Sequence, residues 1–214
     1  MMNINISSDI NNLTKYLHSF QRQQIPFAAS KTLNQVAYHA ARREMPTKAE
    51  MIFQGGATNW TKQGFKYKKS NKSNLMAEVF IDTAQKKYMK FMVSGGTRFP
   101  EKRAVLVSTK YSRLNKYGNF PKNYVKNIIG DKKKFFSGQP KGHPNAPPGI
   151  WERYGRSSKG GGQRIRIVAL YTDQAQYQPL FPFGKFTEGV VFSRDNGFAV
   201  MFRKNLLDAL RSAR

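Results

Sequence analysis

Residues 24–46 read QIPFAASKTLNQVAYHAARREMP. Pro26 suits the first turn of a helix, where its missing N–H has no intrahelical partner to lose. Phe27, Ala28, Ala29, Leu33, Val36, Ala37, Ala40 and Ala41 then recur at helical spacing. A face made mostly of alanine lets a neighbouring element approach closely. Pro46 is expected to end the helix, because the residue before a proline is biased away from the helical region.

Working outward, 7–20 (SSDINNLTKYLHSF) predicts a separate first helix, capped by Ser8 or Asp9, with Ile10, Leu13, Tyr16, Leu17 and Phe20 on one face. After Pro46 the period changes. Ile52 and Phe53, then 60–69, then 75–81 read as strands, separated by Gly55-Gly56 and the polar KKSNKSN. In the third of these, Leu75, Ala77, Val79 and Ile81 alternate with Met76, Glu78 and Phe80, which predicts one buried face. Residues 84–93 favour a short helix closed by Gly95-Gly96, and NYVKNIIG after Pro121 another. SSKGGG (157–162) reads as a hairpin tip, and RIRIVALYT (164–172) as a strand. YQPLFPF (177–183) is an extended connection. Residues 186–213 read as a terminal helix broken near Asn196-Gly197.

Charge bounds the function. The 214 residues carry 37 Lys and Arg against 12 Asp and Glu, a formal net charge of +25. Self-repulsion at that density opposes compaction unless counterions or an acidic partner absorb it. With 39% hydrophobic and 13% aromatic residues, the composition is that of a folded basic protein, not a disordered tail. There is no cysteine, which removes disulfides, thiol nucleophiles and Cys-based zinc sites. The opening MMNINISSDINNL has neither a basic n-region nor an apolar h-region, so no signal peptide is expected. No apolar run approaches the ~18 residues of a membrane span.

No catalytic constellation emerges. The acids are scattered, whereas glycosidase and two-metal chemistry needs converging carboxylates. His18, His39 and His143 are the only histidines and lack metal-ligand spacing. SGGTRFPEKR (94–103) and KGGGQR (159–164) match no phosphate-binding loop, and no G-x-S-x-G elbow occurs. The reading is therefore a non-enzyme with no cofactor and no metal. A nuclease built on His143 is the catalytic alternative.

The remaining signal is basic residues interleaved with aromatics: KQGFKYKK (62–69), KYSRLNKYGNFPK (110–122) and DKKKFF (131–136). Such segments suit stacking and phosphate contact, and equally suit arms that dock on acidic protein. Lys132, Lys133, Lys134, Arg164 and Arg166 are the candidate contacts to DNA or to an acidic partner. From these residues alone, nucleic-acid binding and protein assembly remain equal alternatives.

Three features together resemble the minor tail protein Z family of phage tail-completion proteins and related neck proteins. They are the proline-led helix (Pro26, Ala28, Ala29, Leu33, Asn34, Ala37), the basic strand-rich stretch after it, and YQPLFPF leading to a helix ending NLLDALR (205–211). The resemblance covers roughly the first 80 and last 50 residues; 94–162 departs from it. It implies a virion structural protein at the head–tail junction, present in the host cytoplasm during assembly. It implies copies in a cyclic ring, with a hexamer favoured, beside other tail and head-connector proteins, with DNA passing through the lumen and no membrane partner. No catalytic residue carries over. In such a ring Trp151, Tyr154, Phe135 and Phe136 are the candidate interface anchors, since large aromatics dominate interfaces; the alternative is that Trp151 fills its own domain's core.

The expected architecture is α+β: two N-terminal helices and a C-terminal helix packed on a small, mostly antiparallel sheet, with a long basic insertion. Residues 1–93 begin the single domain and 163–214 complete it. Residues 94–162 form a basic Gly/Pro-rich arm, and sixteen Lys and Arg lie between 102 and 166 against two acids, Asp131 and Glu152.

Overall fold

The computed structural model describes residues 14–101, 104–156 and 162–212. In chain order the helices are α1 (Ile25–His39), α2 (Met45–Ile52), α3 (Asn59–Gln63), α4 (Thr83–Ser94), α5 (Tyr124–Gly130), α6 (Phe183–Val191) and α7 (Phe198–Ser212). The strands are β1 (Phe65–Lys68), β2 (Glu78–Ile81), β3 (Gly96–Arg98), β4 (Val105–Ser108), β5 (Phe135–Gly138), β6 (Gly149–Arg156), β7 (Gln163–Thr172) and β8 (Ala175–Tyr177). Every strand pair among the described residues is antiparallel, and the class is α+β as expected. The chain divides into two compact units: Met1–Met51, Thr58–Met89 and Pro182–Arg214 form the first, and Ile52–Ala57 with Lys90–Phe181 the second.

Pro46 does not end its helix. Residues 14–52 follow one continuous helical path through both Pro26 and Pro46, in place of two separate helices and a strand at Ile52 and Phe53. Residues 7–13 of the expected first helix lie outside the described residues. A proline within an α-helix lacks one N–H, and its ring strikes the carbonyl four residues back. Here a π turn, whose bonds reach five residues back, precedes each proline: Phe20–Gln24 before Pro26 and Ala40–Glu44 before Pro46. The Ile25 N–H donates to Phe20 O and the Met45 N–H to Ala40 O. The widened turn shifts the carbonyl that the proline ring would meet, so the helix continues.

In the first unit α1 is the central element. Its small residues Ala28, Val36 and Ala37 are buried, as are Ala40 and Ala41 in the π turn that follows. Val36, Ala40 and Val190 form a core cluster against which Val79, Phe198 and Met201 pack. Two neutral polar clamps fix α1. Asn205 on α7 donates through Nδ2 to Thr32 Oγ1 (2.9 Å) and Gln35 Oε1 (2.8 Å), while Thr32 Oγ1 donates to Ala28 O (2.7 Å). Asn34 grips the backbone of Ser70, accepting from its N–H at 2.7 Å and donating to its carbonyl at 3.0 Å. The strand expected over 60–69 begins instead as α3, because Thr58 caps it: Oγ1 accepts from the Thr61 N–H at 3.1 Å. The alternation expected over 75–81 is present, with Ala77, Val79 and Ile81 half-buried and Met76, Glu78 and Phe80 exposed; Leu75 is exposed too.

The second unit overturns the expected arm. Residues 94–162 supply β3 to β6 and α5, and the strand at 164–172 belongs with them, not with the terminal helices. The four-stranded sheet runs β4-β7-β6-β5. Ile128 of α5 packs with Ile150, Val168 and Ala169, flanked by Phe120, Tyr124, Phe135 and Tyr171. The register of β6 against β7 shifts at Ile150/Trp151 and at Tyr154/Arg156. At the second shift the extra residue is Gly155, φ +55°, a left-handed bulge position that glycine fills without strain. The expected hairpin tip falls between these strands in the sequence, and its residues 157–161 lie outside the described residues. The break expected near Asn196-Gly197 separates α6 from α7.

Replacing Thr32 by Val keeps the volume but removes the hydroxyl that Asn205 uses. It is expected to lower stability by roughly 1–2 kcal/mol in urea denaturation. Thr47→Val, which removes only an exposed bond to Arg43 O, is expected to change stability by less than about 0.5 kcal/mol.

Candidate interaction face

The hairpin of β6 and β7 collects most of the sequence-predicted site residues. Glu152 lies opposite Arg166, Tyr154 opposite Arg164, and Phe135 and Phe136 of β5 opposite Glu152 and Trp151. Side chains two apart on a strand share a face. Glu152 with Tyr154, and Arg164 with Arg166, therefore stand on one side of the hairpin.

Glu152 organises that side. Only 6% of it is exposed. Its Oε2 accepts from Arg166 Nε at 2.7 Å and its Oε1 pairs with Lys134 Nζ at 3.1 Å. Burial alone pushes its carboxyl pKa up; the hydrogen bonds and charges of Arg166 and Lys134 outweigh burial and hold it below the ordinary glutamate value. The hydrogen bond to Glu152 raises the Arg166 guanidinium further above its already high value.

Aromatic rings take up the same cations. The Arg166 guanidinium lies 5.0 Å from the Tyr154 ring centre and 5.3 Å from that of Tyr111, and Lys110 Nζ lies 5.0 Å from Tyr111. Tyr111 reaches this position because its turn is pinned to β7. Thr109 Oγ1 donates to Ile167 O at 2.7 Å, and Ser112 Oγ donates to Val168 O. Those two carbonyls lie at the register shift, where the strand ladder is interrupted. The result is a row of Lys110, Tyr111, Arg166 and Tyr154 across the turn after β4, then β7 and β6.

Around Phe136 the arrangement is structural. Trp151, 9% exposed, stacks on Phe136 with centroids 6.4 Å apart, so it fills its own unit and does not stand outward as an anchor. Its Nε1 has no hydrogen-bond partner among the described residues. Arg153 lies over Phe136 at 4.7 Å and donates through Nη1 to the carbonyls of Lys132 (3.0 Å), Lys133 (3.2 Å) and Phe135 (3.1 Å). Phe135 is half-buried against the core and Tyr154 is 39% exposed.

Of the five predicted basic contacts, Lys134 and Arg166 are engaged by Glu152. Lys132, Lys133 and Arg164 are exposed and enter no ion pair among the described residues. Sequence reasoning placed Lys110 and Tyr111 in a basic–aromatic stretch, without naming them as site residues, and missed the roles of Glu152 and Arg153. The signal was present: a hairpin tip at 157–162 followed by a strand requires a partner strand before the tip, and WERYGR is that partner.

The histidines stay apart. His18 and His143 are exposed, while His39 lines a cleft of about 300 Å³ in the first unit. Glu44 and Lys48, paired at 3.4 Å, line the same cleft. Among the described residues no group of three or more His, Asp or Glu could hold a metal ion, and no helix is long and apolar enough to cross a membrane.

Because the folded-state pKa of Glu152 is depressed, its stabilising contribution is present above the ordinary glutamate value of 4.5 and is lost as pH falls from there through the folded value. Glu152→Gln is expected to be less stable than wild type at pH 7. The two urea midpoints should converge towards pH 3; parallel curves would contradict the assignment. No family model, no curated protein and no solved structure matches this chain.

Proposed function

We propose that this protein is a virion structural subunit of the phage head–tail junction. It would form a ring as a tail-completion or neck subunit that joins tail to head. The observation that carries the reading is the apolar surface left uncovered on the first unit. β1 and β2 form an isolated two-stranded sheet whose outer edges have no strand partner among the described residues. On it and its approach, Leu75 is 47% exposed, Met76 65% and Phe80 39%. A two-stranded hairpin is marginal by itself, and exposed edges invite pairing with another chain. Covering side chains of this size contributes roughly 1–2 kcal/mol each. A second copy meeting this surface with a different patch makes a head-to-tail contact, the kind that closes into a ring.

The resemblance in the proline-led helix and the terminal helix supports the same reading. Pro26, Ala28, Leu33, Asn34 and Ala37 lie on α1, the helix around which the first unit packs. The expected ring is sixfold.

Native mass spectrometry and negative-stain microscopy, with and without tail and connector components, test the proposal. A closed ring is expected. A protein that stays monomeric at tens of micromolar with those components present overturns it. Phe80→Glu is expected to abolish ring formation while leaving stability within about 0.5 kcal/mol of wild type, as an exposed position should.

A further inference from the structure

We infer that the basic sheet of the second unit, from the turn after β4 across β7 and β6 to the turn before β5, is a binding surface for the phosphate backbone of duplex nucleic acid. The inference stands on that face alone and does not depend on the ring.

Charge is the first argument. The second unit holds eighteen Lys and Arg against four Asp and Glu. Of the two acids between 102 and 166, Glu152 is buried in ion pairs, and Asp131 accepts the Lys134 backbone N–H at 3.1 Å. Lys132, Lys133 and Arg164 therefore face solvent without a carboxylate partner among the described residues. Arg166 and Lys134 are positioning residues, held by Glu152 and holding the strands in register.

The occupied rings are the second argument, and they choose the partner. A protein partner needs buried apolar anchors, and lysine is depleted in such interfaces. Trp151 and Phe136 stack on each other on the opposite side of the sheet, and the exposed Tyr111 and Tyr154 of this face already carry cations. Apart from Leu106 and Val107 of β4, each 36% exposed, what stands outward is charged: Lys132, Lys133 and Arg164 are exposed, and lysine and arginine contact phosphates. Protein–nucleic acid interfaces are more polar and far more positive than protein–protein ones. Stacking of single-stranded bases needs free ring faces, which Lys110 and Arg166 cover. Duplex backbone, read without sequence preference, fits these constraints.

The test uses the full-length chain and a fluorescein-labelled duplex of about 30 base pairs, titrated by anisotropy across a salt range of roughly 50–300 mM. Binding should weaken linearly in log Kd against log salt. Replacing Lys132, Lys133 and Arg164 together by Ala should flatten that slope by roughly 0.9 for each phosphate no longer neutralised, up to about 2.7. These side chains make no hydrogen bond or ion pair among the described residues, so the urea midpoint should not move. A control triple on the first unit, Lys86, Lys87 and Lys204 to Ala, should leave the slope within about 0.5 of wild type. An equal change in both triples would mean that net charge alone binds, and would overturn the inference. So would two other outcomes: a single strand bound more than tenfold tighter than the duplex, or polyglutamate of equal charge competing as well as duplex, which would mark an acidic-protein surface. A ring that forms but ignores duplex would sink this inference and leave the proposed function standing; a monomer that binds duplex would do the reverse.

Discussion

Like-charge repulsion within the basic sheet is the constraint to which the second unit answers, and Glu152 is the answer. One carboxylate ties three strands together: Lys134 stands at the entrance to β5, Glu152 lies within β6, and Arg166 within β7. An ion held in a largely dry position stabilises only when its partners are well placed and its remaining lone pairs are used. Both Glu152 oxygens are occupied at hydrogen-bonding distance. The surrounding cations are then spread over tyrosine and phenylalanine rings, which offer negative faces without adding net charge. A unit with so few acids thus keeps its strands in register and still presents unpaired cations outward.

The first unit solves its packing without charge. Its central helix is held by amide and hydroxyl groups, Asn205 to Thr32 and Gln35 on one side and Asn34 to Ser70 on another. Neutral clamps of this kind are directional, so they fix rotation and register where alanine packing alone would allow sliding. The two π turns belong to the same solution. By carrying the helix through Pro26 and Pro46 they keep Ala28, Val36, Ala40, Met45 and Ala49 on one continuous path, all buried.

What could be read from the sequence follows from how much of each element's pattern is local. The α+β class, the helices at 83–94 and 124–130, the strand at 163–172 and the break before Phe198 all show period or capping within a few residues. Pro46 misled because a π turn is written in backbone spacing, not in side-chain type. Residues 94–162 were unreadable as a sheet because many of the residues that should alternate apolar and polar are charged. Glu152, Arg166 and Arg153 are partly or wholly withdrawn from solvent by each other and by rings, and that pairing is invisible until the strands meet. The charge density that was legible was assigned to an arm; in the fold, Lys132, Lys133, Lys134, Arg164 and Arg166 lie on or beside the strands of a sheet. Of the aromatic anchors, Trp151 and Phe136 turned inward because they stack on one another, whereas Tyr154 stayed outward with Arg166.

The two units present opposite problems to water, and the opposition has a thermodynamic consequence. Apolar side chains on the first unit favour association. Each copy that joins also brings the eighteen cations and four acids of the second unit. In a ring this repulsion grows with every subunit added, and it is screened over about 10 Å at roughly 0.1 M salt. Association driven by the first unit is therefore opposed at low salt by the second, unless a polyanion is present to take up the charge. Duplex binding has the reverse dependence, strongest at low salt. If both proposals hold, self-association and polyanion binding are coupled through a shared electrostatic term, and linkage requires each to favour the other by the same factor. A subunit with both proposed properties would assemble more readily where a polyanion already lies.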